Sequence, residues 1–102
     1  MRMLLRITFP TERFNAMLKS GEVGPAIQRI LENTKPEAAY FGSETDGVRG
    51  AVVVVDIPTP TDLPRCTEPW YLAFEARVEP SIAMTPEEVA DLPLDDLGKT
   101  YG

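Results

Sequence analysis

Arg6, Tyr40 and Glu79 are the side chains with the most chemistry to offer in this 102-residue chain. A guanidinium at position 6 suits an anionic or carbonyl-bearing ligand. A carboxylate at position 79 would serve as a base where burial raised its pKa. Trp70 and Tyr71, with Phe74 beyond them, bring large apolar faces with polar tips, which suit a pocket wall. Each has a simpler competing role. Arg6 and Glu79 could form a cross-strand ion pair, and Trp70 and Phe74, four apart, fit a helix face packed on a sheet. Arg6, Tyr40, Glu79, Trp70 and Tyr71 are therefore the candidate ligand-lining residues, and no residue is assigned as catalytic.

An absence narrows the chemistry further, because the chain contains no histidine. It therefore lacks the usual general base near neutral pH and the commonest metal ligand. A Ser-His-Asp or Cys-His nucleophile cannot be assembled from this chain alone. Cys66 lies beside Arg65, which would lower its pKa somewhat, but with no partner its expected state is an inert, buried thiol. One cysteine cannot form an internal disulfide, so a reducing cytoplasm is the expected compartment. Gly21 and Gly24 do not form a phosphate-binding loop. No cofactor and no metal are expected.

A net charge of −6 argues against nucleic acid and against an anionic membrane surface. The opening "MRMLLRITFP" is too short an apolar stretch for a secretory signal or a membrane span.

The residues above must be positioned by a small number of elements. Alternation over Met3 to Phe9 predicts a first strand, with Met3, Leu5, Ile7 and Phe9 on one face and Arg2, Leu4, Arg6 and Thr8 on the other. Pro10 ends it, and Thr11 is the expected N-cap of a helix using Phe14, Met17 and Leu18. "SGEVGP" breaks that helix, and a second one carries Ala26, Ile27, Ile30 and Leu31. A second strand is expected over Ala38 to Glu44, with "ETDGVRG" as the turn. The third strand spans Ala51 to Ile57. An irregular helical segment follows from about Thr61 to Ala76, with Thr67 capping its last part and Pro69 in a first turn. The fourth strand is Arg77 to Met84, and "TPEE" should open a short helix through a capping box.

The order β-α-β-β-α-β is the split βαβ, ferredoxin-like motif: an α+β fold on a four-stranded antiparallel sheet. Strands one and three belong in the centre and two and four at the edges. Pro80 suits an edge strand, and the unbroken run "AVVVV" suits a central one. Two helices cover one face, leaving Leu4, Val52 and Val54 on the other. That face also receives Arg6, Tyr40, Glu44, Asp56, Arg77, Glu79 and Ser81. A second copy packing sheet against sheet is the expected cover, giving a homodimer.

The sequence resembles the dimeric α+β barrel superfamily, in an uncharacterised small-protein branch. The resemblance covers residues 1–86 and is carried by the element order, "GAVVVVDI", "EPWYLAFEARVEPSIAMTPEE" and the Gly-broken first helix. It implies two ferredoxin-like protomers joined through their sheets into a barrel, with a site in the sheet–helix cleft or the lumen. Lacking histidine, the chain departs from branches that use haem or His-based acid–base chemistry.

Two segments are expected, a barrel domain over 1–86 and an acidic C-terminal tail over 87–102. Val89, Leu92, Leu94 and Leu97 mark the tail as a clasp on the partner, with docking to another protein, a loose tail and a weak calcium site as alternatives. Three classes of function fit this reading. The first is an uncharacterised barrel protein binding a small apolar or carbonyl-bearing ligand. The second is a cofactor-independent monooxygenase, isomerase or cyclase. The third is a protein-interaction module using the acidic tail.

Overall fold

The apolar alternation of the first residues builds β1 (Arg2–Thr8), whose Met3, Leu5 and Ile7 are buried. The structure, a computed structural model, describes residues 1–43 and 46–102. After β1 come α1 (Thr11–Lys19), α2 (Val23–Thr34), β2 (Ala38–Ser43) and β3 (Arg49–Asp56). A 3-10 turn at Pro60–Asp62 leads into α3 (Leu63–Phe74), β4 (Arg77–Ile82), α4 (Pro86–Ala90) and α5 (Leu94–Tyr101). The four strands form one antiparallel sheet in the order β2-β3-β1-β4, consistent with a ferredoxin-like fold. As expected, β1 and β3 are central and β2 and β4 are edges.

Pro80 sits where the edge tolerates it. The Ala83 N–H bonds the Arg2 carbonyl at 3.0 Å. In this register Leu4–Ser81, Arg6–Glu79 and Thr8–Arg77 are then the further hydrogen-bonded pairs. The backbone nitrogens of Val78, Pro80 and Ile82 therefore point away from β1. Proline deletes only an outward donor, which also blunts the edge against stray pairing.

The core lies between the sheet and helices α1–α3. Leu5, Ile7 and Phe9 meet Val53, Val55 and Ile57 from β3 and its exit, with Met17, Ala26, Ile30, Trp70 and Phe74 above them. Phe9 organises the aromatic part, its ring centroid 4.9 Å from Phe74 and 5.1 Å from Phe14. The Arg49 guanidinium stacks 4.7 Å over Phe14 and donates to Asn15 Oδ1 at 2.7 Å, tying β3 to α1.

Several expectations are corrected. The first strand runs Arg2–Thr8 instead of Met3–Phe9, and Thr11 is the first helical residue, with Pro10 in the uncapped N-cap position. Leu18 is 53% exposed, because α1 buries only Met17 and partly covers Phe14. The third helix runs unbroken through Pro69, and Thr67 is buried within it rather than capping a new start. The stripe Cys66, Trp70 and Phe74 is wholly buried, and this packing outweighs the local cost of proline. The fourth strand stops at Ile82, two residues early. Glu44 and Thr45 lie outside the described residues. The "TPEE" reading holds: Thr85 Oγ1 accepts from the Glu88 N–H, and Glu88 accepts from the Thr85 N–H.

Candidate functional site

The sheet face turned away from the helices carries Arg6, Tyr40 and Glu79 in one row. Arg6 pairs with Val52 on β3, Val52 pairs with Tyr40 on β2, and Arg6 pairs with Glu79 on β4. The row Tyr40–Val52–Arg6–Glu79 thus crosses all four strands. Toward the Thr8 end, Gly42 and Gly50 stand opposite each other, Gly42 exposed and Gly50 buried. A Cβ at Gly42 would meet nothing within 4 Å, so the space over Gly42 is open.

Two open concavities follow. One, of about 460 Å³, is lined by Arg6, Tyr40, Gly42, Ser43, Gly50 and Val52, with Phe41 and Ala51 at its rim. The other, of about 450 Å³, lies across Arg6 toward Thr8, Asp46, Glu75, Arg77 and Glu79. Arg6 lines both. Toward the opposite end the same face turns apolar, with Leu4, Val54 and Ala38 in register. A polar, hollowed part therefore borders a short apolar row that is half-buried in a single copy.

Glu79 is held by its own strand, because Arg77 Nη2 lies 2.9 Å from Glu79 Oε1 and both side chains are exposed. Tyr40 is 71% exposed. Trp70 and Tyr71 do not join this group, since they sit on α3 across the sheet. Trp70 is 1% exposed and packs in the core against Phe74, Phe9 and Phe41. The Tyr71 hydroxyl donates to the Val78 carbonyl at 3.4 Å, pinning α3 to β4. Cys66 is buried beside Trp70's stripe, and this burial pushes its thiol pKa up, Arg65 opposing only in part.

One polar feature was missed by the sequence reading. Arg13 reaches under α1 to donate to the Ala73 carbonyl at 3.1 Å, and its Nε is buried without a partner among the described residues. With Arg29, Met17, Pro25 and Ala26 it lines a groove beside α2 and α3. The signal was its spacing, four residues before the buried Met17, which turns Arg13 toward the core side of α1.

Among the described residues no three His, Cys, Asp or Glu side chains are grouped to hold a metal ion. No helix among them is long and apolar enough to cross a membrane. The sequence matches no protein-family model and no curated protein.

Proposed function

We propose that the chain is a small-ligand binding protein whose open sheet face is closed by a second copy into a barrel-like chamber. Arg6 anchors an anionic or carbonyl-bearing ligand there, with Tyr40 beside it and the apolar row Ala38–Val54–Leu4 receiving its hydrocarbon part. The observation that carries this reading is the row Tyr40–Val52–Arg6–Glu79 bordering the concavity that opens over Gly42. A guanidinium lining that concavity supplies charge-assisted hydrogen bonds, and Gly42 adds no side chain to crowd it. Enclosure by a second sheet would exclude water and strengthen that contact. Binding is favoured over catalysis because Glu79, the one carboxylate in the row, is already engaged by Arg77 at 2.9 Å on its own strand.

The test is saturation-transfer NMR against small aromatic carboxylates and ketones, with native protein and with Arg6→Met. Native protein should show ligand signals that Arg6→Met loses while its amide spectrum stays folded. Equal signals from both proteins would overturn the assignment of Arg6.

A further inference from the structure

From Ile82 to Tyr101 every large apolar side chain is exposed, whereas nearly all of the core comes from residues before Val78. On α5, Leu94, Leu97 and Tyr101 recur at helical spacing on one face, and Tyr101 is 82% exposed. Leu92 and Val89 line the elbow between α4 and α5, an open concavity of about 620 Å³. This arm stands away from the body. The molecule measures 58 × 30 × 19 Å with a radius of gyration of 16.8 Å, against about 13 Å for a compact chain of this length.

The base of the arm lies on the open-face side of the sheet. Arg2, which shares its face with Leu4 and Arg6, places Nη1 3.0 Å from Glu88 Oε1 on α4. Any chain covering that face would therefore meet the arm at its root.

Interface size supplies the second argument. Four strands about 4.8 Å apart, each of six to eight residues at about 3.3 Å, give a face of roughly 20 by 23 Å. Two such footprints amount to about 900 Å² before side-chain relief is counted, close to the roughly 1,200 Å² at the lower end of stable interfaces. A sheet face of this size makes an interface near the lower limit, and the arm is exposed apolar surface adjoining it that a second copy would also bury.

We infer that residues 86–102 are a clasp that seats on a second copy of this chain, burying the Leu94, Leu97 and Tyr101 face of α5. The inference rests on the proposal that a second copy covers the open face, and it adds that the arm enlarges and strengthens that contact. The acidic side chains Asp95 and Asp96 stay on the wet side of α5, which keeps the arm soluble before assembly.

The test compares the full chain with the double variant Leu94→Asp, Leu97→Asp by sedimentation equilibrium, with circular dichroism as the check on folding. Both residues are exposed in the single copy, so the fold should persist. The expected result is a dimer for the full chain and a dissociation constant at least a hundredfold weaker for the variant. A dimer of equal strength in both would overturn the clasp and leave the sheet-to-sheet reading standing. A full chain that stays monomeric would overturn both.

Discussion

Arg2 and Glu88 stand 3.0 Å apart, so the first residue of β1 ties the start of the arm to the open face of the sheet. Arg2 also holds Glu37, just before β2, at 2.9 Å. One guanidinium thus links the sheet's edge, its centre and the arm. The pair is exposed, and its worth lies in fixing where the arm begins rather than in stabilising the fold.

Glu88 makes that junction pH-dependent. The Thr85 N–H donated to its carboxylate is the main cause that lowers its pKa below the ordinary 4.5, with the Thr85 side chain next and Arg2 contributing less. Lowering a carboxyl pKa in the folded state gives a stabilisation that is present above the ordinary value and lost as pH falls through the folded one. The capping box at α4 should therefore hold at neutral pH and open in acid. The amide shift of Thr85, followed by NMR from pH 7 to pH 3, should titrate with a midpoint below 4.5. A midpoint at or above 4.5 would contradict the junction described.

Pro69 sits inside α3 and offers no N–H to the Arg65 carbonyl. A helix-interior proline costs about 3 kcal/mol, while its stiffening of the unfolded chain returns up to about 1 kcal/mol. Pro69→Ala should then stabilise the protein by about 2 kcal/mol, read as a higher urea midpoint. A lower midpoint would mean that the ring's packing in the groove it lines with Ala26, Ile30 and Leu72 outweighs the backbone term.

Much of the fold was legible because the strand periods are clean. Met3, Leu5 and Ile7 alternate with Arg2, Leu4 and Arg6, and that parity alone placed Arg6 on the open face. The apolar run of β3 marked a central strand, since both of its faces need apolar residues when a helix layer covers one and Leu4 and Val54 adjoin on the other. What failed was local reasoning about α3. Pro69 and Thr67 look like a fresh helix start, and only the buried stripe of Cys66, Trp70 and Phe74 shows why the helix runs through them. The grouping of Trp70 and Tyr71 with Arg6 failed for a related reason. Residue type suggests a pocket wall, but which side of the sheet a helix covers is a tertiary fact. Leu18 shows the limit of periodicity, because α1 is covered too narrowly to bury its whole apolar stripe.

In the function proposed, a second copy closes the open face around a small ligand at Arg6. Native mass spectrometry of freshly purified protein, set against its denatured mass, tests this most directly. The expected result is twice the chain mass together with a reproducible small adduct that disappears on denaturation. A protein that flies only at the single chain mass, at micromolar concentration, would contradict it.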